Sequence, residues 1–399
     1  MTGELIMSEA KSRMVGPDLI KIAATFYVIF IHHKVQYTTE FYMKYAGMIC
    51  GFLIGAAILS VVLYGYGKKQ EWNPSALRIA VAAPLLFVVA HFFLCKYAVS
   101  FFLIISGFML TGSLEKGASP IKEWYRPNNL IPRILRFYVT LIPIVIVGVL
   151  VHIFLQEKPY DLAKIGERLF LGGFKPGSYY IVIMAQFIPV FPVLYLIVKR
   201  WRAKGLIFIL CLTLLWDIVA TGILHIPDKA YKFCILRLLP QFAFGIYARL
   251  TNLQRRPLIH WGMFLVGLVY LVVFVILRAV PLPIFYQWRC SSLVIAIFLY
   301  PIIVFLLSQF QKISYTDSTF SKQVITLSNA TYHIFLFQML YYNIIGYDWN
   351  AKVNNIILTM PVNLLICFMG GVLFYLWFSP VENKLMKGLK TCLTPKNKR

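Results

Sequence analysis

The chain has 399 residues, 60% of them hydrophobic and only 14% charged, with a mean hydropathy of +0.74. No soluble globular domain of this length has that balance, so the composition describes a polytopic membrane protein. The formal charge of +24 lies in short connections between apolar runs rather than on one face with interleaved aromatics. That is the pattern of loops facing anionic lipid, and it excludes nucleic acid as the partner. The seven cysteines, Cys50, Cys95, Cys211, Cys234, Cys290, Cys367 and Cys392, are scattered through apolar runs without CxxC or a His at ligand spacing. They read as small buried hydrophobes, and no metal is expected.

Apolar runs able to cross ~30 Å of hydrocarbon occur at 17–33, 45–65, 79–95, 97–112, 130–155, 178–198, 205–224, 236–250, 259–279, 290–308, 327–345 and 356–378. The fold expected is an all-α bundle of 10–12 membrane spans. Alternate connections are basic: Lys11 and Arg13; Lys68, Lys69 and Arg78; Lys116 to Arg136; Lys199 to Lys204; Arg249 to Arg256; Lys312 and Lys322; and the tail from Lys384. By the positive-inside rule these are cytoplasmic, with both termini on that side. No hydrophilic stretch is long enough for a soluble domain. Residues 1–399 are therefore read as one integral membrane domain, its core at 13–378 and a basic cytoplasmic tail at 379–399.

The first apolar helix carries three ionisable residues, Asp18, Lys21 and His32. At about 100° per residue, Lys21 and His32 point nearly the same way, about 16 Å apart along the axis. Asp18 and Thr25 share that stripe. One reading is a polar line facing a cavity inside the bundle. The other places Asp18 and a snorkelling Lys21 at one membrane edge and His32 with His33 at the other. Because Lys21 interrupts the apolar core and no small-x-small site follows, the segment is expected to be retained rather than cleaved. The sequon Asn329-Ala330-Thr331 opens an apolar helix and reads as chance.

The next informative stretch is Phe101-Phe102-Leu103-Ile104-Ile105-Ser106-Gly107-Phe108. Gly107 admits a close neighbour and Ser106 brings a hydroxyl, which suits helix packing or a ligand path. A cytoplasmic link then leads through Arg126 to Pro132-Arg133-Ile134-Leu135-Arg136. Two guanidinium forks near a helix start suit a phosphorylated anion, although plain positive-inside topology accounts for them equally. Gln186, Asp217, Gln241, Asn329, Tyr332, His333 and Gln338 are further polar residues in apolar surroundings, each readable as glue between helices or as functional. There is no P-loop, GxSxG or HExxH.

Taken in order, a cation, ten residues and His32, then an FFxxSGF helix, an Arg-rich link, a Tyr-Tyr helix running to a Pro, a Phe-Gly helix and a late Thr-Tyr helix resemble the bacterial acyltransferase-3 membrane proteins. The resemblance covers residues 13 to 378 and implies transfer of an acyl group, most often acetyl, from acyl-CoA to a hydroxyl of a cell-surface or secreted glycan. It implies that His32 is essential and that the site lies in a bacterial cytoplasmic (inner) membrane. Lys21 stands where the family usually has Arg, keeping the charge without the fork. Gln338 stands where the family often has His, and it cannot act as a base.

Chemistry and resemblance together suggest His32 as general base, Asp18 orienting Lys21, and Arg126, Arg133 and Arg136 holding the phosphates of acyl-CoA. Ser106 would line the acyl path or donate to the oxyanion. The partners expected are acyl-CoA, a glycan or lipid-linked glycan acceptor, and the bilayer. A transporter or flippase for a lipid-linked sugar is the rival reading.

Overall fold

A computed structural model describes residues 13–33, 46–89, 97–116, 120–155, 160–254, 256–270, 292–311, 313–316 and 318–394. Cys95, Cys290, Lys11, Arg255 and Lys312 lie outside them. The helices are α1 (Val15–Ile31), α2 (Ala46–Lys69), α3 (Pro74–Val89), α4 (Ala98–Leu114), α5 (Pro120–Trp124), α6 (Pro127–Phe154), α7 (Leu162–Phe170), α8 (Tyr179–Trp201), α9 (Ala203–Asp217), α10 (Asp228–Lys232), α11 (Leu239–Leu250), α12 (Pro257–Tyr270), α13 (Ser292–Phe310), α14 (Thr319–Tyr341), α15 (Tyr347–Val353) and α16 (Ile356–Leu393). No strand occurs among the described residues, and the protein is an all-α membrane protein.

Each apolar run of the sequence is largely helical over its described part, the runs at 205–224 and 327–345 passing into π-helices, Ile218–Ile223 and Tyr342–Gly346. Among the described residues, six stretches are long and apolar enough to cross a membrane by length and composition: Ile49–Lys69, Pro127–Phe154, Tyr179–Trp201, Ala203–Ile223, Leu293–Phe310 and Leu358–Leu393. α4 and α12 are shorter apolar helices. α14 is long enough, but Ser328, Asn329, Thr331, His333 and Gln338 make it too polar to qualify. α1 gives up apolar length to Asp18 and Lys21.

The chain divides into two compact units, residues 1–105 with 251–328, and residues 106–250 with 329–399. In the first unit α2 pairs with α3, α12 with α13, and α13 also packs on α1 and α3. α2 turns Ile54, Ile58, Val61 and Val62 outward. That is the reverse of a soluble helix, and it is the arrangement that hydrocarbon solvent selects.

In the second unit α6 packs on α16 and α8, while α8 and α9 both pack on α11. Phe187 and Phe242 stack face to face at the α8–α11 crossing. A Cβ on Gly107 would lie 2.4 Å from the Phe242 carbonyl oxygen, so only glycine permits this approach. Pro132 and Pro143 in α6, and Pro189 and Pro192 in α8, sit inside their helices, as membrane helices tolerate when neighbours satisfy the freed carbonyls. One of these freed carbonyls is used, since Ile188 O, four residues before Pro192, accepts from Trp124 Nε1, and the Tyr125 hydroxyl donates to the next carbonyl along, Pro189 O.

Candidate active site

The site residues of the first unit lie at the two ends of α1. Asp18, in the first turn, is fully buried. A carboxylate removed from water in this way needs donors to offset its lost hydration, and the fold supplies them from several elements. Arg13 grips it with two nitrogens, Nε at 2.5 Å and Nη2 at 2.9 Å. Lys21 Nζ lies at 3.1 Å. The Ser328 hydroxyl donates at 2.6 Å and the Tyr315 hydroxyl at 2.8 Å. Arg13 Nη2 also donates to Ser328 Oγ at 3.3 Å. Two cations around one carboxylate leave a surplus positive charge at this end.

His32 caps the other end of α1, its backbone N–H bonded to Val28 O, and its side chain is half-buried while neighbouring His33 is buried. Helical rise puts it about 16 Å from Lys21 and about 21 Å from Asp18. Thr25, midway along the stripe, bonds back to Lys21 O at 2.9 Å. Asp18 and Lys21 are thus brought together, as the stripe suggested, but neither reaches the imidazole. They fix the first turn of α1, at the end opposite to His32.

In the second unit the Arg-rich link becomes the short helix α5 and the start of α6. Arg126 is the exposed N-cap residue of α6, with Pro127 in the first turn. The Arg133 guanidinium carbon lies over the Trp124 ring, 3.7 Å from its centroid. Its Nη1 is buried and makes no hydrogen bond among the described residues. Arg136 is engaged differently. Its Nε is hydrogen-bonded to buried Glu382, and its Nη2 reaches Asn383 Oδ1 at 3.2 Å. Thr140 donates to the same carboxylate at 3.1 Å, and His333 Nε2 lies 3.3 Å from it. The arginines that sequence spacing paired on one helical face therefore have separate partners, because Glu382 of α16 captures the second. Ser106 is hydrogen-bonded to the hydroxyl of half-buried Tyr180.

Sequence reasoning missed Arg13, Tyr315 and Ser328 around Asp18, and it missed Glu382. Arg13 was read only as a topological charge and Glu382 only as part of the tail. Their signal was a balance. The chain has only 15 acidic residues, and one beside an apolar run must find donors.

Compared with known families, residues 14–379 match the acyltransferase-3 model, described as an acyltransferase domain. The chain belongs to the acyltransferase-3 family. No curated protein and no solved structure matches it. As an acyltransferase-3 protein it is an integral membrane acyltransferase. The family match holds Asp18, Lys21, His32, Ser106, Arg126, Arg133 and Arg136 within its limits. Arg13 and Glu382, the ion partners that were not foreseen, fall just outside it at either end.

Proposed function

We propose that this protein moves an acyl group, acetyl in the simplest case, from acyl-CoA to a hydroxyl of a cell-surface or secreted glycan in a bacterial inner membrane. The observation that carries the reading is His32: a half-buried imidazole at the end of α1, in a chain whose family transfers acyl groups. A sugar hydroxyl is a weak nucleophile near neutral pH, and neutral imidazole is the side chain suited to take its proton. In the proposed step an imidazole nitrogen of His32 accepts the hydroxyl proton as the oxygen attacks the thioester carbonyl. The new C–O bond forms, the C–S bond breaks, and the imidazolium returns the proton to the departing coenzyme A thiolate.

Arg133 and Arg126, at the start of α6, are the proposed phosphate ligands for acyl-CoA. Arg133 supports this with a buried N–H that has no acceptor among the described residues. Arg136, held by Glu382, has a positioning role. Ser106, with Tyr180, lines the acyl path. Asp18 and Lys21 are positioning residues that fix α1, and through it the place of His32.

The test is coenzyme A release from acetyl-CoA by the protein in nanodiscs, with an envelope glycan extract as acceptor and labelled acetyl followed into glycan. His32→Ala is expected to lower transfer by about 10²–10⁴-fold without altering the thermal transition. Transfer that survives this substitution rules His32 out as the base. A transporter would release no thiol at all.

A further inference from the structure

A second polar cluster lies where α8, α9 and the segment before α11 meet, and the proposed transfer step does not use it. Asp217, the last residue of α9, and Arg237 are both more than nine-tenths buried. The Tyr231 hydroxyl is hydrogen-bonded to Asp217 Oδ1. The Arg237 guanidinium carbon lies 5.4 Å from the centroid of the Tyr231 ring and 5.7 Å from that of Tyr179. Its Nε is buried and makes no hydrogen bond among the described residues.

The cluster is held firmly. Gln186 of α8 clamps the chain ahead of Arg237 through Phe233 O at 2.8 Å and Ile235 N at 3.1 Å. Thr213 of α9 donates to Leu236 O at 3.1 Å. Immediately after Asp217 the chain enters a π-helix, Ile218–Ile223, a distortion found often at functional sites.

Position and chemistry narrow what such a group would bind. Tyr179 begins α8 and Asp217 ends α9, so both stand at the end of this helix pair away from the basic Lys199 to Lys204 link. That link is cytoplasmic by the positive-inside rule, which puts the cluster at the opposite, extracytoplasmic end. A buried guanidinium with an unspent donor calls for an acceptor oxygen. An anion would also meet the Asp217 carboxylate, and an acyl chain would leave the donor unsatisfied. A sugar fits all three features. One hydroxyl can accept from Arg237 while its neighbour donates to Asp217, and the C–H face of the ring can lie against tyrosine.

We propose that Asp217, Tyr231, Arg237 and Tyr179 form a subsite for a neutral sugar residue of the acceptor glycan. This rests on the glycan acyl-transfer reading above.

The experiment is saturation-transfer NMR on nanodiscs without acyl-CoA, using the methyl glycosides of glucose, galactose and N-acetylglucosamine, with methyl glucuronide as the anionic comparison. At least one neutral glycoside is expected to show transfer that falls about tenfold in Arg237→Gln. No neutral signal in the wild type, an equal signal in Arg237→Gln, or a stronger signal from the glucuronide would overturn the subsite. If Arg237→Gln is not monodisperse, Tyr179→Leu decides by the same readout, and an undiminished signal overturns the assignment.

Coenzyme A release measured in parallel separates the two ideas. Arg237-dependent sugar binding without release keeps the subsite and removes acyl transfer. His32-dependent release with sugar binding indifferent to Arg237 does the reverse.

Discussion

Lys21 Nζ lies 3.1 Å from Asp18 Oδ1, one turn back on the same helix. The cation standing eleven residues ahead of His32 is therefore committed to a carboxylate and not to the imidazole. Asp18→Ala should leave Arg13 and Lys21 facing each other without a counter-ion and cost about 3–5 kcal/mol. Lys21→Met should cost far less, since Arg13 keeps both of its contacts with Asp18. Thermal unfolding of the two variants in nanodiscs compares them directly. Equal losses would show that the carboxylate is not the organising group.

Tyr315 offers a pH-dependent test of the same cluster. Burial, and then the neighbouring Asp18 carboxylate, raise the phenol above its usual value of 10.0. The folded state therefore holds this proton more tightly than the unfolded chain does. Its contribution is fully present below about pH 10 and declines as pH rises above that, where the unfolded chain ionises first. Stability should accordingly fall more steeply above about pH 10 in the wild type than in Tyr315→Phe. Parallel slopes would mean that the phenol is not held by Asp18.

The separate partners of Arg133 and Arg136 predict separate phenotypes. Arg133→Ala is expected to weaken acyl-CoA binding about tenfold while leaving the thermal transition nearly unchanged. Arg136→Ala should instead lower the transition temperature, because buried Glu382 loses its guanidinium partner. Isothermal titration with acetyl-CoA beside a melting curve for each variant makes the comparison. The reverse pattern would place the phosphate contact on Arg136.

Gly107→Val should prevent the close approach of α4 and α11, given the 2.4 Å separation between an added Cβ and the Phe242 carbonyl. A loss of about 1–3 kcal/mol or more is expected from such overpacking. Detergent-solubilised protein should then elute as aggregate in size-exclusion chromatography. A monodisperse Gly107→Val would mean that these helices can separate at little cost.

Much of the architecture was legible in the sequence because membrane helices announce themselves by length and apolar content, and the runs coincide with helices over their described parts. The contact between Asp18 and Lys21 was legible for a local reason, since residues three apart on a helix are neighbours. What was not legible was long-range. Nothing near Asp18 in the chain points to Tyr315 or Ser328, and nothing near Arg136 points to Glu382. Asp217 stood out as costly, but its partners Tyr231 and Arg237 emerge only when the chain after α9 folds back. Helical spacing also paired Arg133 with Arg136, and only the packing of α16 on α6 separates their roles.

The ring of donors around Asp18 has a consequence for how the protein is made. Ser328 follows Asp18 by 310 residues and Tyr315 follows it by 297, so neither exists while the ribosome is delivering α1. During that interval the carboxylate has only the cations encoded beside it, Arg13 and Lys21. These local charges let a helix bearing an acid enter the bilayer early, and the late hydroxyls then fix it when the rest of the chain arrives. Biosynthesis thus meets the same carboxylate twice, first as a group to be neutralised and later as the latch that closes the first unit.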